Sequence, residues 1–300
     1  MRVLGAFLKD PRQITQGLVR KILSNRIKDD RYYLSLVYFA TFWRKMNWDN
    51  PSSFNEKMNW LKIYGRNPQY TTMVDKYLVK KYVSGIIGDK YVVENYAVAD
   101  SWDGIDWDSL PSQFVIKCTH DSGGAFVCRD KTTFDYDGTR HIIEKNLATY
   151  NYYFAREWPY KDVPHRIIVD RFLDEHTGRE LNDYKFWCFN GKPVYMYCTN
   201  KANKIHENFY DMEFNPVWIN HGFPRHVPEF QKPAEFEEMK ELAQRLSEGI
   251  PFVRVDFFDV DGHIYFGEFT FFDWGGLRPF ASRKLDLELG NLLILPDRLA

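Results

Sequence analysis

The sequence predicts an α+β fold in which an N-terminal helical segment precedes a region of mixed strands and helices. Up to about residue 70, apolar residues such as Leu18 and Ile22 recur at helical spacing. From Tyr91 onwards the pattern changes to short β-rich runs. Two of these runs are joined by the tight turn Phe189-Asn-Gly-Lys192. Hairpins mixed with a few helices favour an α+β fold over a regular βαβ alternation.

Individual elements follow from caps, periodicity and turn residues. Ser53 precedes a helical pattern that Gly65 closes. The helices predicted after it are Asp75–Val83, about 138–156 and about 233–248. The predicted strands are Phe114–Cys118, Ala125–Arg129, Arg166–Leu173, Tyr184–Asn190, Pro193–Cys198, Phe252–Phe258 and His263–Phe271.

Charge and cysteine content argue against several classes of protein. The 300 residues contain 40 Lys and Arg against 41 Asp and Glu, a net charge of −1. Nucleic-acid binding depends on a clear excess of clustered basic residues, so no nucleic-acid partner is expected. The four cysteines are too sparse for a disulfide framework, and no Cys-x-x-Cys pair or Cys/His cluster has the spacing of a zinc site.

The N-terminal region carries no recognisable signal peptide or membrane span. Its first apolar run is broken by Lys9 and Asp10, and the run Leu34–Trp43 is about half as long as a bilayer requires. A cytoplasmic protein is therefore expected. Two interpretations of the basic residues among the apolar ones stay open: an amphipathic cap on the main fold, or peripheral association with a membrane surface. The sequence indicates no oligomeric state.

The first segment with chemical character is Phe114-Val-Ile-Lys-Cys-Thr-His-Asp-Ser-Gly-Gly124. A lysine at a strand end, followed by two glycines, can bring a charge and backbone N–H groups to phosphate oxygens. A simple turn between two strands is the alternative, and the segment lacks the spacing of a P-loop.

The second segment, Phe252–Thr270, predicts a hairpin with charged residues on one face. We expect a three-residue loop, Val260–Gly262, which would pair Arg254 with Glu268; a two-residue loop would turn Asp256 to the opposite face. The residues expected to share a face are Arg254, Asp256, Glu268 and Thr270, together with Phe258, Ile264 and Phe266. Two carboxylates and a hydroxyl suit Mg²⁺ that carries nucleotide phosphates, whereas a solvated charged face is the alternative.

The third segment is the apolar strand Ile167–Leu173, which ends in acidic residues and is followed by Asp183–Lys192. Its end could offer backbone groups to the edge of an adenine. A core strand followed by surface acids is an equally simple interpretation.

Taken in this order, the segments resemble the ATP-grasp family, and within it the TupA-like branch found with genes for bacterial capsule, O-antigen and teichuronopeptide synthesis. The similarity covers about 240 of 300 residues and leaves the first fifty outside. The motifs that carry it are Phe54-Asn-Glu-Lys-Met-Asn-Trp-Leu-Lys62, Asp75-Lys-Tyr77, Lys117-Cys-Thr-His-Asp-Ser-Gly-Gly124, Arg156-Glu-Trp-Pro-Tyr160, Asp183-Tyr-Lys-Phe186, Phe189-Asn-Gly-Lys-Pro193, Phe252-Val-Arg-Val-Asp-Phe257, Gly267-Glu-Phe-Thr270 and Leu287-Glu-Leu-Gly290.

The resemblance implies an ATP-grasp fold, in which two α+β lobes clamp ATP. Residues 1–70 would be a helical segment and residues 71–300 the ATP-grasp domain. Within that domain the lid lobe would cover roughly 90–165 and the metal-binding lobe roughly 166–300.

The resemblance also implies nucleotide ligands. Lys76 and Lys117 would contact the phosphates or the adenine side of ATP, and His120–Gly124 would be a mobile loop over the phosphates. Asp170 stands in the place of the adenine-hinge glutamate. The other implied nucleotide ligands are Ser122, Gly123 and Gly124, Phe172 and Leu173 through their backbones, and Asp183 and Lys185.

For the metal, the resemblance implies Mg²⁺ on Asp256 and Glu268, with Thr270 where most ATP-grasp enzymes have the asparagine of Glu-x-Asn. The implied catalytic residues are Arg254 at the γ-phosphate, Lys117 and His120. In a second departure, Phe272-Asp-Trp-Gly-Gly276 replaces a turn rich in Thr, Pro and Gly that is expected near the acceptor.

The implied function is that of an ATP-dependent carboxylate-amine ligase that forms an amide through an acyl phosphate. Its carboxylate would be a uronic acid of a capsule or O-antigen polysaccharide, or of a sugar-nucleotide precursor, and its amine an amino acid or small amine. A glycosyltransferase of the same pathway is the alternative, because Asp259-Val-Asp261 has the form of a sugar-nucleotide metal motif, although it falls in the predicted turn. An inactive nucleotide-binding scaffold is a third possibility.

Overall fold

Two antiparallel β-sheets with helices packed around them make up the fold. The computed structural model describes residues 11–121, 124–150, 152–174, 181–200, 206–220, 222–225 and 227–298. The α-helices of this part are α1 (Pro11–Leu23), α2 (Asp30–Phe42), α3 (Phe54–Tyr64), α4 (Gln69–Val74), α5 (Leu78–Ile87), α6 (Tyr136–Leu147), α7 (Tyr152–Ala155), α8 (Phe236–Ser247) and α9 (Arg283–Leu292). Its strands are β1 (Asn95–Ala99), β2 (Phe114–Cys118), β3 (Phe126–Cys128), β4 (Ile167–Arg171), β5 (Asp183–Phe189), β6 (Lys192–Asn200), β7 (His206–Tyr210), β8 (Pro216–Val217), β9 (Phe252–Val260) and β10 (His263–Thr270).

The strands form a four-stranded sheet, ordered β1-β4-β2-β3, and a six-stranded sheet, ordered β10-β9-β5-β6-β7-β8. Every strand pair is antiparallel. This confirms the α+β prediction, and each predicted strand is present to within a few residues. Three strands were not predicted: β1, β7 and β8. β8 has only two residues, and β7 begins with the polar run His-Glu-Asn, so neither shows the apolar signal of a strand.

The predicted helix at 138–156 is wrong in its extent. Its residues form two helices, because α6 ends at Leu147 and α7 begins only at Tyr152.

The predicted helix Asp75–Val83 begins three residues later than expected. The carboxylate of Asp75 accepts the backbone N–H groups of Tyr77 and Leu78 at 2.8 and 3.0 Å, so it ends α4 and starts α5 at a break. Within this break the backbone N–H of Lys76 donates to the carbonyl of Thr119, just beyond β2, at 3.1 Å. Lys76 is therefore tied to the smaller sheet instead of lying in a helix.

The smaller sheet and α6 enclose a core of their own. Phe114 and Ile116 of β2 pack there with Ile167 and Val169 of β4 and with Ile143 of α6. Because β4 pairs with both β1 and β2, the expected lobe boundary between residues 165 and 166 would separate β4 from its partners. The smaller sheet therefore extends to Arg171.

The larger sheet has two unlike faces. On one face, Phe186 of β5 packs against Phe236 of α8, with ring centroids 5.9 Å apart. On the other face, the fully buried Trp187 stacks on Phe54 of α3 at 5.4 Å. α2 and α3 share one hydrophobic core with this sheet, so the N-terminal helices complete it.

The N-terminus of α3 is fixed by local caps and by α9. Ser53 and Glu56 form a reciprocal capping box. The backbone N–H and the amide of Asn55 both donate to Asp286 of α9 at 3.0 Å. Gly290 of α9 comes so close that an added Cβ would lie 2.2 Å from the carbonyl oxygen of Ser52.

In the described ranges, the structure contains no helix with the length and apolar character that a bilayer crossing needs.

The glycine contacts lead to a stability prediction on two helix-interior positions. Gly290→Ala should lower the free energy of unfolding by about 1–3 kcal/mol, because the new methyl group overlaps the backbone at Ser52. Gly85→Ala in α5 is the matched control: it meets nothing within 4 Å and should stabilise the protein by about 0.5–1 kcal/mol. Urea denaturation of the three proteins measures both changes, and equal effects would contradict the close packing of α9 on α3.

Candidate functional site

The charged face of the larger sheet is built on the β9–β10 hairpin. Its loop has two residues, Asp261 and Gly262, both with positive φ (53° and 80°), so the predicted three-residue loop is wrong. A bulge between Phe266 and Glu268 shifts the register by one residue and places Glu268 opposite Asp256. The two carboxylates therefore share a face as expected, but the bulge at Gly267 brings them together instead of a longer loop.

The apolar neighbours are distributed differently from the prediction. Ile264 and Phe266 lie on the far face, where Phe266 pairs with Phe257 and is buried. Phe258 alone of the three remains on the face of Asp256, since it is two residues away on the same strand.

Arg254 of β9 is the centre of the site. Its Nε and Nη2 donate to the two carboxylate oxygens of Asp256, both at 2.7 Å, in a bidentate pair. Nη2 also reaches Glu268 Oε1 at 3.1 Å, and Nη1 reaches Asp273 Oδ1 at 2.7 Å and the hydroxyl of Tyr197 at 3.1 Å. Burial by itself would lower the pKa of Arg254, but Asp256, Tyr197 and Asp273 raise it well above its ordinary value.

Lys185 on β5 adds a second cation to this face. Its Nζ lies 2.6 Å from Asp256 Oδ2 and 3.4 Å from Asp183 Oδ2. Burial opposes the charge of Lys185, yet Asp256 outweighs this and raises its pKa. Asp183 is buried and also accepts a hydrogen bond from the hydroxyl of Thr199 at 3.2 Å.

The donor set fits a magnesium ion that is shared with phosphates. The described residues contain no cluster of three or more His, Cys, Asp or Glu side chains that could hold a metal alone. Mg²⁺, however, usually takes one or two carboxylates and completes its shell with water and substrate phosphates. Asp256 uses three of about four lone-pair sites for Arg254 and Lys185, and Glu268 is still 47% exposed.

The balance of charge among these side chains also favours a bound cation. Four carboxylates, those of Asp183, Asp256, Glu268 and Asp273, surround two cations, Arg254 and Lys185. An added divalent cation would balance this excess of negative charge.

Lys76 approaches the same face from the break between α4 and α5. Its Nζ donates to the backbone carbonyl of Asp121 and lies 3.6 Å from the Asp121 carboxylate. Burial lowers the pKa of Lys76, while Asp121 and Glu268 counteract this, so Lys76 lies within electrostatic reach of Glu268. Lys117 also acts on Lys76 and contributes to the lowering of its pKa, so the two lysines lie within electrostatic reach of each other.

Lys117 and Asp170 form an ion pair on the smaller sheet, in which the carboxylate is buried and the ammonium group is partly exposed. Lys117 Nζ lies 2.9 Å from Asp170 Oδ2, and Lys80 of α5 lies 3.1 Å from Asp170 Oδ1. The amide of Asn95 donates to Asp170 Oδ1 at 3.0 Å. Burial would raise the pKa of Asp170, but Lys117, Lys80 and Asn95 together lower it below its ordinary value.

His120 is buried and packs against a second histidine. It is 2% exposed, and its ring stacks on His165 with centroids 3.5 Å apart. Its Nε2 lies 3.1 Å from the carbonyl of Asn146, which fixes the ring. Burial and the neighbouring His165 lower its pKa.

The structure also locates most of the remaining residues that the resemblance suggests as nucleotide ligands. Ser122 and Gly123 lie outside the described residues. Gly124 is close-packed, since an added Cβ would meet Asp121 Oδ2 at 2.1 Å. Phe172 and Leu173 follow β4 directly and are partly exposed, as is Thr270 at the end of β10.

Sequence reasoning assigned no role to three residues that the structure brings to this site. Tyr197 binds Arg254 directly. Burial raises the pKa of both Glu157 and Tyr160; Arg254 acts on both, and Asp256 and Glu268 act on Tyr160. The motif Arg156-Glu-Trp-Pro-Tyr160 was the available signal, whereas nothing in the sequence pairs Tyr197 with a strand 57 residues further along.

A family model described as TupA-like ATPgrasp matches residues 56–294. This range contains both sheets and all of the charged residues described above, so the protein is one of the ATP-grasp proteins. Because the match extends over more than half of the chain, the protein belongs to the TupA-like ATP-grasp family, which confirms the resemblance. No curated protein matches the chain.

Solved structures with a related fold are more distant. D-alanine-D-alanine ligase from Helicobacter pylori is 17% identical over 80% of this chain and 69% of its own, with a TM-score of 0.46. D-alanine-D-alanine ligase from Bacillus anthracis, complexed with ATP, is 14% identical over 66% of this chain and 53% of its own, with a TM-score of 0.38. An ADP complex of N5-carboxyaminoimidazole ribonucleotide synthetase is 14% identical over 70% of this chain and 46% of its own, with a TM-score of 0.42. This chain thus spans about half the length of the last two, and the family match alone carries the assignment.

The ion pair around Asp170 yields a pH-dependent prediction. Asp170→Asn should lower the free energy of unfolding at pH 7 by about 2–4 kcal/mol, because Lys80 and Lys117 lose a buried counter-charge. The native pKa of Asp170 lies below that of an unfolded aspartate, about 3.9, so its contribution is complete above about pH 5 and is lost as the pH falls through the native pKa. The deficit of the variant should therefore shrink at about pH 3.

Urea denaturation at the two pH values measures this deficit. Asp103→Asn, which breaks an exposed pair with Arg140, is the control and should change stability by less than about 1 kcal/mol. A deficit for Asp170→Asn that is independent of pH would contradict the assignment.

Proposed function

We propose that this protein is an ATP-dependent ligase that joins a carboxylate to an amine through an acyl phosphate. The observation that carries the proposal is the convergence of Arg254, Asp256 and Glu268 with Lys185 on one sheet face, approached by Lys76. Positioning and charge neutralisation are what phosphoryl transfer demands of a protein, and this group of residues offers both.

Each group has a role in this proposal. Asp256 and Glu268, with the hydroxyl of Thr270 nearby, would hold Mg²⁺, which supplies charge neutralisation at the phosphates when bound. Arg254 would pair with the γ-phosphate, and Lys76 and Lys117 would bind phosphate oxygens from the opposite side. Asp183 and Lys185 would line the cleft, and the chain at Asp170, Phe172 and Leu173 would border the adenine, with Ser122, Gly123 and Gly124 over the phosphates.

The reaction itself needs no protein nucleophile. A carboxylate oxygen attacks the γ-phosphorus, the bond to the β-phosphate oxygen breaks, and ADP leaves. The amine nitrogen then attacks the acyl carbon, phosphate leaves, and the nitrogen loses a proton to give the amide. Arg254 is suited to both steps, because a permanently charged guanidinium can stabilise the oxyanions without taking part in proton transfer.

For the substrates, we propose a uronic acid of a bacterial capsule or O-antigen polysaccharide, or its sugar-nucleotide precursor, with an amino acid or small amine. Membership of the TupA-like family supports this choice of substrates. We also propose a cytoplasmic location, where ATP is available, and a helical segment before an ATP-grasp domain that begins near residue 71.

The alternative of a glycosyltransferase loses its main support. Asp261 lies in the β-hairpin loop with a left-handed backbone, and Asp259 Oδ1 accepts the backbone N–H of Gly262 at 3.0 Å. The Asp-x-Asp pattern is therefore explained by turn chemistry.

The nucleotide site can be tested by thermal shift with a non-hydrolysable ATP analogue and Mg²⁺. At about a hundredfold excess over Kd, the wild type should gain about 2.7 kcal/mol of stability, only when Mg²⁺ is present. Glu268→Gln should lose most of this gain, because an amide is a weaker Mg²⁺ ligand than a carboxylate. Glu288→Gln, an exposed residue of α9, is the control and should respond like the wild type.

A stabilisation by UDP-sugars and not by the ATP analogue would overturn the ligase proposal. Stabilisation by the analogue without Mg²⁺, unchanged in Glu268→Gln, would overturn the metal assignment.

We further propose that the N-terminal helices bind an anionic membrane surface. Residues 11–45 contain eight Lys and Arg and two Asp, a net charge of +6, although the whole chain carries −1. Their exposed apolar side chains are Leu18 and Ile22 on α1, and Tyr32, Phe39 and Trp43 on or next to α2, each more than half exposed. Basic charge combined with exposed aromatic residues is the composition of interfacial membrane helices.

This membrane proposal predicts co-sedimentation with lipid vesicles. In about 0.15 M NaCl, wild type should bind vesicles with about three parts in ten anionic lipid at least about tenfold better than neutral ones. The double variant Ile22→Asp, Phe39→Asp should lose this binding, whereas Ile142→Asp, at an exposed position of α6, should keep it. Equal sedimentation of the double variant and the wild type would contradict the proposal.

A further inference from the structure

The turn that follows β10 has an unusual backbone. Trp274 lies in the left-handed region with φ 49° and ψ 27°, and Gly275 and Gly276 follow with φ of 64° and 55°. Glycine adopts this conformation readily, but a bulky aromatic residue does so rarely and only when its surroundings enforce it. The side chain of Trp274 is nevertheless 41% exposed, so burial of the indole does not explain the strain.

Helix α3 enforces this conformation. The buried Lys62 donates its Nζ to the carbonyl of Gly275 at 2.6 Å and to that of Ala155 at 2.8 Å. The amide of Asn59 donates to the carbonyl of Gly276 at 2.7 Å. A Cβ added at Gly276 would lie 2.4 Å from the Cβ of Met58, so the turn sits directly on the helix.

The clamped turn connects two environments. On its inner side, Asp273 accepts a hydrogen bond at 2.7 Å from Arg254, the residue proposed to pair with the γ-phosphate. On its outer side, the guanidinium of Arg278 lies 4.3 Å from the ring centre of Trp274 and 4.0 Å from that of Phe223. The rings of Trp274 and Phe223 are 5.1 Å apart.

Arg278 belongs electrostatically to the same site. Burial lowers its pKa, and Glu207, Asp273 and Tyr197 oppose this. Asp273 and Tyr197 are also partners of Arg254, so both arginines interact electrostatically with the same carboxylate and phenol. The guanidinium of Arg278 lies beside this pair of rings and contacts both, and a guanidinium suits the bidentate recognition of a planar carboxylate.

We propose that Trp274, Phe223 and Arg278 form the acceptor subsite, which takes a sugar acid with its ring on the indole and its carboxylate paired with Arg278. A pyranose ring has an apolar C–H face and a polar rim, so an exposed indole beside a cation matches it. The proposal rests on the proposed ligase function, because a carboxylate held here would stand next to Arg254. The strained turn then holds this subsite next to the residues proposed to bind the phosphates.

The experiment measures binding of methyl glucuronoside and neutral methyl glucoside by isothermal titration, with Mg²⁺ and the ATP analogue present. Trp274→Gly removes the indole and tolerates the left-handed backbone, so folding should be kept. Trp43→Gly is the matched control, because Trp43 ends α2 with φ 54° and is 59% exposed. Thermal shift with the ATP analogue is run in parallel on every protein.

Wild type should prefer the glucuronoside at least about tenfold. Trp274→Gly should bind it at least about tenfold more weakly, Trp43→Gly should match the wild type, and Arg278→Gln should lose the preference for the charged sugar. In all variants the nucleotide shift should persist. The subsite alone would be overturned if Trp274→Gly bound the glucuronoside as well as the wild type does. It would also be overturned if the wild type bound the nucleotide but no sugar. A wild type without a nucleotide shift would overturn the ligase proposal.

Discussion

The buried guanidinium of Arg254 is the interaction on which the site depends. It binds carboxylates from three places in the chain: its own strand, the neighbouring strand and the turn after β10. Without it, Asp256, Glu268 and Asp273 would repel one another in surroundings that screen charge poorly. Arg254 is therefore both a candidate ligand for phosphate and the reason why these carboxylates can be held close together. Lys185 supports it from β5 through the same Asp256 oxygen.

The N-terminal helices are part of this arrangement. α3 packs Phe54 on the core Trp187 and holds the turn at Gly275 and Gly276, while Lys76 in the break after α4 reaches the loop at Asp121. The motifs in residues 54–77 thus have a physical explanation: they hold two loops, one next to each sheet.

The sequence predicted the fold class and the longer strands because alternating apolar and polar residues and turn residues are local signals. It did not reveal the register of the hairpin, since a bulge depends on packing; the glycine at 267 inside a strand was the only local sign of it. The sequence did not reveal that His120 stacks on His165, because the two residues are far apart in the chain. The identity of the site residues came from the resemblance, and periodicity alone could not have separated Lys117 or Asp256 from ordinary surface charges.

The bulge at Gly267 also affects how this hairpin can evolve. In a regular strand, residues two apart point the same way, so Phe266 and Glu268 would compete for one environment. In this strand of eight residues, Phe266 points into the hydrophobic core and Glu268 points to the charged face, and a single glycine separates them. Substitutions that repack the hydrophobic half can therefore accumulate independently of the charged half. A homologue with one more residue in the loop and none at position 267 would present the same face, so an alignment gap here need not signal a different site.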